Sequence, residues 1–274
     1  MFKMKNLLYL TFVGVLLTSC SEYQKVFNKG TAEKQYAMAT KMYDAKKYNK
    51  ALNLFEKLTP SYRDKPQMQR IQFMVAQANF NTKNYVSAGY YFDRFTLSYP
   101  QSSKKEEAAF MSAKSYMLAS PVFSLDQTDT SKGLNAFQFF IDTYPNSKRL
   151  AEANKYYQEI NYKLQKKAFE IAKVYYTTAD YDPLRNYTAA IQAFDNLLED
   201  YLGTEFKEEA LYYRLKASHD LAIRSSDRKK AERINAAIKS YEKLKRNFPK
   251  TKYLVDSNKM LANLENAQKQ LIKS

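Results

Sequence analysis

An all-α helical-repeat solenoid is the fold class this sequence predicts, and three observations predict it. First, a four-residue pattern recurs five times. A small residue is followed four positions later by an aromatic, three later by Leu or Phe, and four later by Tyr or Phe. It reads Ala51-Phe55-Leu58-Tyr62, Ala88-Phe92-Phe95-Tyr99, Gly133-Phe137-Phe140-Tyr144, Ala190-Phe194-Leu197-Tyr201 and Ala237-Tyr241-Leu244-Phe248. Steps of 4, 3 and 4 put all four residues on one helix face. Second, Pro100, Pro145 and Pro249 directly follow the last aromatic of three patterns, where a Pro cannot continue the helix. Third, the patterns start 37, 45, 57 and 47 residues apart, periods at which helical repeats recur. Five Gly in 274 residues argue against strand-and-turn architecture and Gly-rich phosphate loops.

The N-terminus reads differently. Lys3 and Lys5 precede an apolar run over 7–17, and Leu17-Thr18-Ser19-Cys20 follows. Basic region, apolar region and small residues are the layout of a secretory signal peptide, here over 1–19. Eleven residues give about 16 Å of helix, half a hydrocarbon core, too short for a permanent span. The cut site resembles the bacterial lipobox, whose final Cys takes lipid on its sulfur. Cys20 is the only Cys in the chain. A lipoprotein N-terminus of this kind carries three acyl chains, enough for stable anchoring. Ser21 behind it is compatible with transfer to the outer membrane. Residues 20–30 read as a lipidated tether, and 31–274 as one repeat domain.

From there the expected elements run as helix pairs. Thr31 caps a helix to about 45 with Met38, Ala39 and Met42 inward. Lys46-Lys47 turn the chain and Tyr48 opens the second helix. The second pair covers about 71–81 and 85–99, with Asn84 as cap. The third covers 106–119 and 133–144, the fourth 150–177 and 187–201, the fifth 206–224 and 228–248. A last helix over about 253–271 covers the apolar face that a terminal repeat leaves open. The pattern resembles the tetratricopeptide repeat, in which a small residue lets paired helices approach, an aromatic packs beside it and Pro ends the unit. Tyr85, Ala88, Phe92 and Pro100 match it, as do Gly133, Phe137, Tyr144 and Pro145. Insertions fall over 120–132, 180–186 and 225–229. The patterned residues identify a scaffold, not a site.

The formal net charge is +16, and +14 without Lys3 and Lys5. In a cytosolic protein that would suggest nucleic acid; export argues against it and points to acidic protein surfaces or anionic headgroups. With 24 Tyr and 17 Phe, the core is aromatic-rich. No catalytic constellation, metal site or cofactor is expected. His219 is the single His, with no Cys or second His to complete a metal site. Glu106-Glu107 and Glu208-Glu209 sit at helix starts, where they complement the helix dipole.

A lipobox followed by about five such repeats resembles the BamD (YfiO) family, lipoprotein subunits of the β-barrel assembly machinery. The third repeat carries the likeness most closely: the acidic insertion with Asp126 and Asp129, then Ala136-Phe137, then Asp142-Thr143-Tyr144-Pro145-Asn146-Ser147. Val174-Tyr175-Tyr176, at the end of a long helix, matches the family's double Tyr. The resemblance implies a protein at the periplasmic face of the outer membrane that binds a BamA-type barrel protein, other assembly subunits and unfolded outer membrane proteins. Amino-terminal repeats are implied to face substrate. Exposed candidates for that first groove are Gln35, Tyr43, Lys46, Asn79 and Lys83. The alternatives are another tetratricopeptide envelope lipoprotein: a peptidoglycan or division adaptor, or a glycan-capture protein of the SusD type.

Overall fold

The computed structural model describes residues 22–273. The expectations at 1–19 and at Cys20 lie outside them. Among the described residues every regular element is a helix. They are α1 (22–29), α2 (Ala32–Asp44), α3 (Tyr48–Tyr62), α4 (Gln67–Asn81), α5 (Tyr85–Ser98), α6 (Lys105–Ala119), α7 (Thr128–Thr143), α8 (Leu150–Thr177), α9 (Pro183–Asp200), α10 (Lys207–Ile223), α11 (Asp227–Asn247) and α12 (Leu254–Lys273). The chain divides into two compact units. The first runs to Pro121 and resumes over Asp126–Ile160; the second takes Val122–Leu125 and everything from Asn161.

The five patterns form the cores of both units. Their small residues Ala51, Ala88, Ala190 and Ala237 are fully buried, as are Phe55, Phe92, Phe137 and Phe194. Gly133 shows why smallness is needed: a Cβ there would lie 3.2 Å from the backbone nitrogen of Met117 on the paired helix. In the first unit Phe73 packs edge-on against Phe92 and Phe95, and Phe110 against Phe137 and Phe140. In the second, Phe169 packs on Phe194, Phe206 and Tyr213. Each buried ring contributes a large apolar area and a preferred pair geometry.

The last aromatic of four patterns is a C-cap. Tyr99, Tyr144, Tyr201 and Phe248 leave helical geometry, with φ between −124° and −135°, while each N–H still reaches the carbonyl four residues back. Three residues on, a hydroxyl residue rebuilds the chain direction. Ser102, Ser147, Thr204 and Thr251 donate their N–H to that aromatic's carbonyl. Their side-chain oxygens accept from the N–H two residues on, at Lys104, Arg149, Phe206 and Tyr253. This side-chain turn starts the next helix. No Pro follows Tyr201; there Gly203, at φ 82°, makes the break. Tyr62 instead stays helical, with Pro60 inside the last turn of α3.

Five expectations change. Residues 22–29 are not a free tether but a helix. Tyr23, Val26 and Phe27 fall at i, i+3 and i+4 and pack on the first core cluster around Met38, Leu54 and Phe55. Helix α4 starts at Gln67, because Met68 is already a core residue. Helix α7 starts at Thr128, five residues before Gly133. Buried Thr130 is held there by Gln127 Oε1 and Ser120 Oγ. Helix α9 starts at Pro183, with Asp182 as side-chain cap to the Arg185 N–H. Asn84 precedes α5 but makes no side-chain cap bond; its amide donates to Asn79 Oδ1 instead. Thr31 does cap α2, accepting from the Lys34 N–H.

Candidate functional site

Grooves open on the surface of the first unit. One, of about 610 Å³, lies between α3, α4 and α5. Met68, Ile71 and Val75 of α4 line it apolarly, Glu56 and Thr59 of α3 form one side, and Ser87, Tyr90, Tyr91 and Arg94 of α5 the other. Tyr90 and Tyr91 are half exposed and meet edge-on at 5.4 Å. Arg94 lies over the Tyr90 ring and donates to its hydroxyl at 3.3 Å. This ridge follows from helical spacing: Phe92 and Phe95 turn inward, so adjacent Tyr90 and Tyr91 turn out. A second groove of about 460 Å³ runs between α2, α4 and the start of α6, with Tyr43, Gln69, Gln77 and Lys104 on it. A third, about 400 Å³, sits between α5, α6 and α7 with Asp93, Tyr116, Lys132 and Phe139. Burial pushes the Asp93 carboxyl above its usual range.

The five candidate residues do not converge. Gln35 is buried, not exposed; its amide donates to the carbonyls of Val26 and Phe27 and holds α1. Asn79 is also buried, donating to the Val75 carbonyl and accepting from Asn84, although it touches the α3–α5 groove. Both are polar residues on the inner side of a helix, and a sequence pattern of apolar residues alone does not mark them as inward. Tyr43 lines the α2–α6 groove and donates to Gln77 Oε1 at 2.5 Å. Burial, then the nearby Tyr48 and Asp44, push its hydroxyl up to about 12. Lys46 and Lys83 are exposed at equivalent turns, both left-handed at φ 57° and 63°. The ridge of Tyr90, Tyr91 and Arg94 was missed; two aromatics beside the inward Phe92 were the available signal.

The second unit carries a cation and aromatic cluster on α8, α10 and α12. Lys216 Nζ lies 5.3, 5.6 and 5.9 Å from the rings of Tyr176, Tyr212 and Tyr213. Tyr176 donates to Asp220 at 2.9 Å and Tyr212 to Asp256. Tyr212 stacks on Tyr253 at 3.9 Å. His219 is a packed helix residue, its Nδ1 2.7 Å from Asp220 and its Nε2 3.2 Å from Asn263. Burial pushes the Asp220 carboxyl up, but hydrogen bonds from His219 and Tyr176 outweigh it and hold the group below its ordinary value. These contacts lock helices together. Among the described residues no three His, Cys, Asp or Glu gather as metal ligands. No described helix is long and apolar enough to cross a membrane.

An aromatic ridge, a guanidinium and side-chain amides are groups that can stack on apolar side chains and bond backbone groups of an extended segment.

A family model described as YfiO, outer membrane lipoprotein, matches residues 28–234. No curated protein matches the chain. Among solved structures, the nearly identical tetratricopeptide-like repeats of a kinesin light chain from Podosopora anserina are 11% identical. That likeness covers 88% of this chain and 96% of the other, at a TM-score of 0.32.

Proposed function

Because the chain belongs to the YfiO family of outer membrane lipoproteins, we propose that it is a non-catalytic subunit of the outer membrane β-barrel assembly machinery. In this reading it is anchored through lipid on Cys20 at the periplasmic face. It binds a BamA-type barrel protein and other assembly subunits, and it receives unfolded outer membrane proteins before insertion. The family match, which spans α2 to α10, carries the proposal. The α3–α5 groove supports it, because Tyr90, Tyr91 and Arg94 offer stacking and hydrogen bonding without a fixed sequence requirement. Tyr43, Lys46 and Lys83 remain surface candidates around the same repeats, whereas Gln35 and Asn79 act through the scaffold.

The test is a pull-down of the tagged protein from gently solubilised outer membranes, followed by mass spectrometry. A BamA-type barrel protein in near-equal amount is the expected companion. A glycan transporter or a cell-wall enzyme in its place would refute the assembly role.

A further inference from the structure

Helix α1 changes what an anchor at Cys20 would do. Its attachment is built from both side chains and backbone. Tyr23 and Phe27 stack at 5.9 Å and pack with Val26 on the first core cluster. The Tyr23 hydroxyl donates to the Lys50 carbonyl at 3.1 Å. At the C-terminal end of α1, where carbonyls lack helical partners, Gln35 donates to Val26 and Phe27 and Lys57 to Phe27. Gly30 completes the turn; a Cβ there would lie 2.5 Å from the Val26 carbonyl oxygen.

With α1 fixed, only Ser21 separates Cys20 from the helix. Two Cα steps reach about 7 Å. The start of α1 would therefore lie within about one Debye length of a headgroup layer. The charge around it is basic. Lys25 and Lys29 are exposed on α1, and Lys50 and Lys57 of α3 lie over the Tyr23 and Phe27 rings. Among the described residues none of these four pairs with a carboxylate, and the nearby Glu22 is engaged by Lys41 at 3.4 Å.

We infer that α1, with the flanking lysines of α3, is a membrane-resting surface that engages the phosphates of anionic lipid headgroups, so that the first repeat lies against the bilayer instead of hanging from it. The inference rests on the anchoring proposed at Cys20. Each lysine close to an anionic surface adds a factor of about five to the interaction, so Lys25 and Lys29 together account for about twenty-five-fold.

Amide hydrogen exchange tests it. The protein is purified from membranes, the N-terminal peptide is weighed by mass spectrometry, and the protein is reconstituted in vesicles of phosphatidylcholine or of equimolar phosphatidylcholine and phosphatidylglycerol. Exchange over 22–29 should slow by about ten-fold or more in the anionic vesicles. Lys25→Glu/Lys29→Glu should abolish that slowing and leave exchange in α2 and α3, on which α1 packs, unchanged, which separates lost docking from lost folding. Equal exchange in both vesicles, with lipid present on Cys20, overturns the docking surface. Slowing in phosphatidylcholine vesicles on adding inorganic phosphate alone overturns the headgroup as its source. An unmodified Cys20 overturns the anchoring itself, independently of the exchange result.

Discussion

Lys46 and Lys83 give a prediction whose sign runs against the usual effect of mutation. Each ends a first helix in the same way. The N–H of Lys46 bonds the Tyr43 carbonyl and that of Lys47 bonds Met42; the N–H of Lys83 bonds Phe80 and that of Asn84 bonds Asn79. This double bond pattern needs a left-handed residue, normally Gly, at the first position past the cap. Here an L residue with a Cβ occupies it, at φ 57° and 63°. A left-handed L residue costs about 1–2 kcal/mol, and Gly gives back about 0.5–1 kcal/mol of that through its freer unfolded chain. Each Lys→Gly change should therefore stabilise by about 0.5–1 kcal/mol. The two turns are separate and both lie in the first unit, so the double variant should gain about 1–2 kcal/mol by additivity. The assay is urea unfolding followed by helical circular dichroism. With a slope of about 2 kcal/mol/M, the midpoint for the first unit should rise by about 0.5–1 M at unchanged slope. An unchanged or lowered midpoint would refute the strain argument. The same variants test the surface role of these lysines, because weaker partner binding in a more stable protein cannot be blamed on folding.

The other expectations rest on individual contacts. Phe137→Ala empties a fully buried site between Phe110, Tyr156 and Ile160 and should cost about 3–5 kcal/mol by denaturant melting; a loss under about 1 kcal/mol would mean the pattern does not define the core. Ser147→Ala removes the acceptor of the Arg149 N–H and the donor to Glu106, and should lower stability by about 1 kcal/mol, as loss of a cap does. Tyr176→Phe removes a donor that holds the Asp220 carboxyl low. A depressed folded value stabilises above the unfolded value of about 3.9 and is lost as pH falls through the folded one, so the acid limb of unfolding should move to higher pH in this variant. Stability curves superimposable on wild type from pH 2 to 5 would count against that account. On the proposed assembly role, Tyr90→Ala/Tyr91→Ala should weaken binding of an unfolded outer membrane protein by about ten-fold, since aromatic anchors carry a disproportionate share of binding energy. Fluorescence titration reads the affinity and an unchanged melting curve confirms the fold.

The repeat arithmetic was legible because it is a local, periodic property. Spacings of 4, 3 and 4 put the five patterns on inward faces, and Ala51, Phe92, Gly133 and Phe194 lie where that periodicity places them. The length of α8 was equally legible, since Leu150–Thr177 holds one unbroken helical pattern. Polar residues resisted the same reading. Gln35 and Asn79 look like solvated helix residues in one dimension, yet each meets carbonyls or an amide that only the packed chain brings near. Residues 22–29 read as tether in one dimension because Tyr23, Val26 and Phe27 gain their meaning from a partner surface on α2 and α3. The aromatic ridge of Tyr90 and Tyr91 likewise became a groove wall only once α3 and α4 stood opposite it. By itself, then, the sequence determined the all-helical repeat class and the inward faces of the five patterned helices, because hydrophobic periodicity is written along the chain. The tertiary structure alone decided which polar groups are buried, where the chain first docks and which surfaces open as grooves, because those depend on groups distant in sequence.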